Sequence, residues 1–110
     1  MTPRVVIESP WRATNGEARA LNRKYALDAL KDSLSRGESP YASHLLLTQV
    51  LDDNNPYERV RGIVAGLAWA EACDLVAVYE DRGISEGMRE AIEHAKKIGK
   101  PVEYRRLEAK

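Results

Sequence analysis

Short apolar runs alternate with longer segments of helical periodicity along most of the chain. Two runs rich in β-branched residues, RVVIE at 4–8 and LVAVY at 75–79, are bounded by polar residues. Runs of this length and composition are typical of buried strands. Two further extended segments are predicted, a short one at 40–42 and a last one that begins at Pro101. The pattern therefore predicts about four strands.

Three stretches between these strands carry apolar residues three and four positions apart, as on one face of a helix. They lie at about 15–36, 57–73 and 85–98. Thr14 or Asn15 can cap the first of these helices, and Ser85 can cap the third. The apolar stretch LLLTQVL at 45–51 ends abruptly at DDNNP, and it fits either a helical turn or a loop packed on the core.

Strands that alternate with helices predict a parallel sheet with right-handed crossovers. We therefore expect residues 1–110 to form a single α/β domain built on a small doubly wound parallel sheet of about four strands. The first and third strands should lie in the centre of the sheet, because their sequences are the most continuously apolar.

The loop that opens the third helix is a candidate ligand site. In open α/β sheets, ligands bind beyond the carboxyl ends of the strands, and the free N–H groups of a first helical turn can hold an anion. Ser85, Gly87 and Met88 are placed to do this. The alternative is that Ser85 only caps the helix and that Glu86 and Arg89 are solvated charges.

The loop after the first strand carries a hydroxyl, an aromatic ring and a guanidinium in Ser9, Trp11 and Arg12. These groups are suited to clamping a phosphate or a carboxylate. Alternatively, Trp11 covers the end of the sheet and Arg12 pairs with a surface acid. His44 follows the second strand and can face the same crevice, although a lone histidine is often structural.

Carboxylates surround the start of the third helix, at Glu86, Glu90 and Glu93. A carboxylate here can attack or stabilise a sugar carbon, as in glycosyl transfer by two carboxylates. The alternative is an ordinary charged helix face. Asp52 and Asp53 look like metal ligands only superficially, because no further acids follow at suitable spacing, and we predict no metal site.

Composition narrows the classes of partner. The 17 basic and 17 acidic side chains give a net charge of zero, which argues against binding of bulk nucleic acid. The only cysteine, Cys73, leaves no internal disulfide and makes a reducing interior the default. No apolar run approaches the roughly 20 residues of a membrane helix, and no signal peptide is recognisable. We therefore expect a cytoplasmic protein without a membrane partner or a cofactor.

Four segments together resemble a known group of small proteins that is common in phages. They are VVIESPWRA, SHLLLTQVLDDNNPYERVRGIVAGLAW, CDLVAVY and RGISEGMREAIEHAKKIGKPVEY. This group is related to nucleoside 2-deoxyribosyltransferases and to 2′-deoxynucleoside 5′-monophosphate N-glycosidases. The resemblance covers nearly the whole chain and implies a flavodoxin-like or Rossmann-like sheet. It also implies a homo-oligomer, at least a dimer, with sites near the subunit interfaces, and the host cytoplasm as location if the chain is phage-encoded.

The resemblance implies roles for residues of both loops. Ser9, Trp11 and Arg12 stand where the related enzymes hold the sugar or a phosphate. Ser85 and Gly87 stand where they bind the 5′ group. The implied partner is therefore a small-molecule nucleotide or nucleoside.

The sequence departs from these enzymes at two positions. The glutamate that they use as nucleophile corresponds to Ala91, and the nearest acid, Glu90, comes one place earlier. A shift of one residue turns a helical side chain by about 100°. An aspartate of the enzymes corresponds to Gly66. Both departures bear on whether the site is catalytic.

Three hypotheses follow. In the first, the protein binds a nucleotide or nucleoside derivative and cleaves or exchanges its N-glycosidic bond, with Glu90 as nucleophile and His44 or Glu86 as acid/base helper. In the second, the same pocket sequesters or senses a nucleotide without chemistry, which Ala91 and Gly66 favour. In the third, the chain is a structural oligomer with an idle pocket.

Overall fold

Four parallel strands form one sheet in the computed structural model, which describes residues 2–108. They are β1 (Arg4–Glu8), β2 (Ser39–Tyr41), β3 (Leu75–Tyr79) and β4 (Val102–Arg105). Their spatial order is β2-β1-β3-β4. The two continuously apolar strands, β1 and β3, are therefore central, which confirms the prediction made from their sequences.

Helices connect the strands, which confirms the predicted α/β class. They are α1 (Gly16–Ser35), α2 (Ser43–Leu46), α3 (Pro56–Ala72) and α4 (Glu86–Lys97). The ambiguous stretch after β2 is mostly helical, because α2 is followed by a 3₁₀ turn at Leu47–Gln49. None of the helices within residues 2–108 is long and apolar enough to cross a membrane.

A polar side chain immediately before each of the long helices caps it. The Asn15 side chain accepts a hydrogen bond from the N–H of Ala18 at the start of α1. Asn55 accepts from two N–H groups at the start of α3. Ser85 does the same for α4, where its hydroxyl accepts from the N–H of Met88. Each cap satisfies donors that would otherwise lack a partner in the first helical turn.

The two faces of the sheet carry separate apolar clusters, because successive side chains of a strand point to opposite faces. Val5 and Ile7 of β1 pack with residues of α1 on one face. Val6 packs with residues of α4 on the other face. The second cluster contains the following buried side chains: Val6, Cys73, Val76, Val78, Met88, Ile92 and Ala95. Odd-numbered side chains of β1 therefore face α1, and even-numbered side chains face α4.

Helix α3 differs from the others in how little of its apolar side is covered. Tyr57, Val60 and Val64 have 87%, 58% and 60% of their surface exposed. Ala70 is its only buried residue. The glycines of α3 lie on the inner side, where a Cβ on Gly62 would lie 3.3 Å from Leu51 and one on Gly66 would lie 2.8 Å from the Ser43 hydroxyl. These two glycines therefore allow α3 to pack closely on Leu51 and Ser43 of the same chain.

A buried polar network ties the last strand to the turn that follows α1. The Arg105 guanidinium donates to both carboxylate oxygens of Glu38, at 2.8 and 2.6 Å, and to the Tyr79 hydroxyl at 3.1 Å. Tyr79 in turn donates to Asp32 at 2.7 Å. Arg105 is 5% exposed. Its hydrogen bonds hold the pKa of Glu38 below the ordinary value. The buried guanidinium therefore joins β4 to β3 and to the turn after α1 through charge-assisted hydrogen bonds.

We expect the Arg105→Met substitution to destabilise the protein by about 3 kcal/mol, because it leaves a partly buried carboxylate without its charged partner. The neighbouring Arg106 is exposed, so Arg106→Met is the matched control and should change stability by no more than about 0.5 kcal/mol. Urea unfolding of both variants measures the two effects. Equal effects of the two substitutions would contradict this assignment.

Candidate ligand-binding site

A cavity of about 560 Å³ opens at the carboxyl end of β1, between α2, α3 and the start of α4. Small-molecule sites in proteins commonly have volumes of about 300–1,000 Å³. Nine residues that the sequence suggested for a site line it: Ser9, Trp11, Arg12, His44, Ser85, Glu86, Gly87, Met88 and Glu90. The structure therefore brings together, around one cavity, residues that lie up to 81 positions apart in the sequence.

Two side chains of α1 hold the loops that border the cavity. Asn22 is buried and donates from its amide to the carbonyl of Trp11 at 3.0 Å. The Tyr25 hydroxyl donates to the Asp81 carboxylate at 2.6 Å and accepts from the Asp81 N–H at 2.9 Å. Asp81 also accepts from the N–H of Leu107. Hydrogen bonds from α1 thus fix the loops that follow β1 and β3.

Ser9 and His44 form a hydrogen-bonded pair in the cavity wall. The Ser9 hydroxyl lies 2.7 Å from Nε2 of His44, and Ser9 is 4% exposed. The Trp11 ring meets the imidazole edge to face, with centroids 5.7 Å apart. Burial lowers the pKa of His44 to about 4. The ring is therefore neutral at pH 7, and the pair presents uncharged donor and acceptor groups to a ligand.

Arginines and an aspartate lie together in another part of the cavity lining. The Arg12 guanidinium lies 3.4 Å from the Asp53 carboxylate, and that of Arg59 lies 4.0 Å from it. Arg12 therefore pairs with an acid, which is the alternative to ligand binding that the sequence allowed for this side chain. Exposed ion pairs contribute about 1 kcal/mol or less, so an anionic ligand group can replace Asp53 at little cost. No cluster of three or more potential metal ligands occurs within residues 2–108.

The start of α4 forms another part of the wall. Ser85 and Gly87 are exposed, whereas Met88 is 2% exposed and packs in the apolar cluster beneath. Ser85 acts as the helix cap that its sequence context allowed, with its hydroxyl 3.3 Å from the Met88 nitrogen. A binding role for these three residues stays a prediction, because their observed contacts serve the helix.

The acids of α4 line the cavity from its solvent side. Glu86 and Glu90 are both exposed, and Ala91, half-buried, lines the cavity beside them. Glu93 is exposed and does not belong to the lining. The shift from Ala91 to Glu90 therefore changes the environment of the acid, since Glu90 lies on the more solvated side of the helix.

Sequence reasoning missed several polar residues of the cavity, among them Arg59 on α3 and Glu8, the last residue of β1. Its side chain is half-buried, and burial raises its pKa to about 8. The signal was available, because strand alternation puts residue 8 on the same face as Val6.

The neutral state of His44 predicts a stability change in acid. Because its pKa in the folded protein, about 4, lies below the ordinary value of 6.5, the unfolded chain binds the proton more readily between these pH values. The stabilisation is therefore present above pH 6.5 and is lost as the pH falls through 4. His44→Gln should lose less stability than the wild type between pH 6.5 and 4, measured by urea unfolding. Equal losses would show that His44 does not titrate in this way.

The solved structures that resemble this one include two enzymes. A 2-deoxyribosyltransferase from the psychrotolerant bacterium Bacillus psychrosaccharolyticus matches with a TM-score of 0.67 at 16% identity, over 94% of this chain and 72% of the other. The CMP N-glycosidase BcmB of Clostridium botulinum matches with a TM-score of 0.56 at 14% identity, over 94% and 71% of the two chains. The resemblance suggested by the sequence is thereby confirmed at the level of the fold.

Sequence comparison gives a family and no individual relative. No curated protein matches the sequence. A family model described as a domain of unknown function, DUF7768, matches residues 3–105. This match spans nearly the whole chain, and the protein therefore belongs to the DUF7768 family.

Proposed function

We propose that the cavity binds a nucleoside or nucleotide derivative and that the protein cleaves or exchanges the N-glycosidic bond of this ligand. The observation that supports the proposal best is the cavity itself. It lies at the carboxyl edge of the sheet, where open α/β sheets bind ligands, and it gathers an aromatic ring, a neutral Ser–His pair, carboxylates and two arginines. The fold that carries it is shared with a 2-deoxyribosyltransferase and a CMP N-glycosidase.

Each group of the lining has a natural counterpart on such a ligand. The Trp11 ring offers an apolar surface on which a base or a sugar can pack. The Ser9–His44 pair suits a sugar hydroxyl or an edge of the base, since both of its members are uncharged at pH 7. Arg12 and Arg59 can contact an anionic group such as a phosphate. Glu90 serves as the nucleophile, with Glu86 or His44 as its helper.

Binding without chemistry is the second candidate, and the environment of the α4 acids favours it. Glu86 and Glu90 are exposed, whereas a nucleophilic carboxylate acts most strongly in a site that excludes water. Ala91 lines the cavity, and the resemblance of the sequence implies that it corresponds to the nucleophile of the related enzymes. In this case the protein sequesters or senses its ligand and releases no base.

One experiment separates these functions. The purified protein is incubated with a panel of nucleosides, deoxynucleotides and cyclic or ADP-ribose-type nucleotides, and its melting temperature and the released base are both recorded. We expect stabilisation, which reaches about 2.7 kcal/mol at a ligand concentration of 100 Kd. Free base in the supernatant establishes a glycosidase or a transferase. Stabilisation without base release establishes a binding protein, and no effect with any ligand contradicts the proposed function.

The two tryptophans provide a matched pair of variants for the binding site. Trp11 lines the cavity, whereas Trp69 is 52% exposed on α3 and packs on Tyr41. Stacking of a base on an aromatic side chain is worth about 1–3 kcal/mol. Trp11→Ala should therefore weaken ligand binding about tenfold or more, and Trp69→Ala should leave it unchanged, as measured by calorimetry. Equal binding by both variants would remove Trp11 from the site.

The exposed apolar side of α3 supports the proposal that the protein is a homo-oligomer. Tyr57, Val60 and Val64 are spaced as one stripe along this helix and are all largely exposed. Such a contiguous stripe is typical of an interface. Val64→Glu should shift the sedimentation of the protein towards that of a monomer of 12.3 kDa. Leu34→Glu on α1, at a position of similar exposure, is the control. Unchanged assembly of the Val64 variant would exclude this stripe as the interface.

A further inference from the structure

Five carboxylates line the cavity, and their surroundings differ. Asp53 is paired with two arginines, and Glu58 accepts a hydrogen bond from a backbone N–H of the neighbouring loop. Glu86 and Glu90 are exposed to solvent. Glu8 alone combines partial burial with the absence of a side-chain hydrogen bond or ion pair to any residue between 2 and 108. A carboxyl group in that situation has nothing to stabilise its charge.

The position of Glu8 follows from strand geometry. Val6 and Glu8 lie on the same face of β1, and Val6 belongs to the cluster that packs against α4. Glu8 pairs in register with Val78, which is fully buried. Val76 and Met88 of the same cluster also line the cavity. The carboxyl group of Glu8 therefore lies at an apolar end of the cavity, next in sequence to the Ser9–His44 pair.

We propose that Glu8 is the proton donor of this site, a neutral carboxylic acid that protonates a ring nitrogen of the base as the N-glycosidic bond breaks. The inference rests on the proposed function and adds to it a catalytic residue from β1. Donation by a positioned acid contributes about 10²–10⁴-fold to a rate. Such donation is most effective when the pKa of the acid lies close to the pH at which the enzyme works.

The chemical step balances with water as the second reactant. The O–H bond of Glu8 breaks and an N–H bond forms on the base, while the C1′–N bond breaks and its electron pair stays on the base. The Glu90 carboxylate forms a bond to C1′ as the base leaves, and water then breaks this bond by forming its own bond to C1′, which returns the Glu90 carboxylate. The proton that this water gives up restores the carboxylic acid of Glu8. No further acid is consumed in the cycle.

None of the basic side chains within residues 2–108 that line the cavity forms an ion pair with Glu8 that would favour loss of its proton. Arg12, from the loop after β1, and Arg59, from α3, are both directed at Asp53. His44, from α2, is neutral at pH 7 because burial lowers its pKa to about 4. The remaining charged groups of the lining are acids, which oppose ionisation of Glu8. In agreement with this arrangement, burial raises the pKa of Glu8 to about 8.

Replacement of Glu8 by glutamine tests the role, because the amide keeps the size of the side chain and removes the acidic proton. We expect Glu8→Gln to release base at least about 100-fold more slowly than the wild type and to bind the ligand within a few-fold of it. Base release by the wild type should decline as the pH rises through about 8. Glu93→Gln on α4, outside the cavity, is the control and should keep the wild-type rate.

Stability measurements give a readout that does not depend on activity. The pKa of Glu8 is raised from 4.5 to about 8, so the stabilisation by its neutral form is complete below pH 4.5 and is lost as the pH rises through 8. His44 contributes its own change only below pH 6.5. Between pH 6.5 and 8 the wild type should therefore lose stability relative to Glu8→Gln. Parallel curves would show that Glu8 holds no proton there and would overturn the inference.

The outcomes separate this inference from the proposed function. A wild type that releases base together with a Glu8→Gln variant that is equally fast overturns the role of Glu8 and leaves the function standing. A wild type that binds a ligand but releases no base overturns the donor role as well. A wild type that neither binds nor releases any panel member overturns the proposed function, and the donor role with it.

Discussion

The geometry of the site depends on the hydrogen bonds by which α1 holds the loops that leave β1 and β3. Asn22 fixes the carbonyl of Trp11, and Tyr25 holds Asp81 through both its carboxylate and its N–H. Both side chains of α1 are buried, so these bonds form in a region that excludes water and are costly to break. Without them the two loops would border the cavity without being held in position.

The central position of β1 and β3 makes this arrangement possible. The sheet order β2-β1-β3-β4 brings the carboxyl ends of the two central strands side by side, so their loops meet at one edge. Successive side chains of β1 point to opposite faces of the sheet. Ile7 therefore packs in the cluster that faces α1, and Val6 packs in the cluster that faces α4. Glu8 lies on the same face of β1 as Val6, and its side chain therefore lines the cavity.

Local sequence signals were sufficient for most of the fold. The strands at 4–8 and 75–79, the caps at Asn15 and Ser85 and the central placement of the two apolar strands all follow from short-range pattern. The gathering of loops at one edge follows from the parallel topology. These features depend on residues within about one turn or one strand of each other, where propensity and periodicity act.

The parts that sequence reasoning missed depend on distant partners. Arg105 and Glu38 are 67 positions apart, and neither residue is marked by its neighbours in sequence as one half of a buried pair. Periodicity identified the apolar side of α3 but carries no information about what covers it, and within the chain Val60 and Val64 are left largely exposed. Glu8 was missed because the last residue of a strand is usually solvated, whereas here residues of α3 and α4 line the same cavity as Glu8.

The contrast between Glu8 and Glu90 shows why residue type alone cannot assign chemistry. Both are glutamates that line one cavity, yet Glu90 is exposed on α4 while Glu8 projects from the sheet among apolar groups. Burial favours the protonated form of Glu8. Acid-assisted cleavage of a glycosidic bond uses two carboxyl groups whose environments differ in this way. The proposed chemistry follows from this difference in environment, with the nucleophile on α4 at Glu90, beside Ala91, and the proton donor on β1 at Glu8.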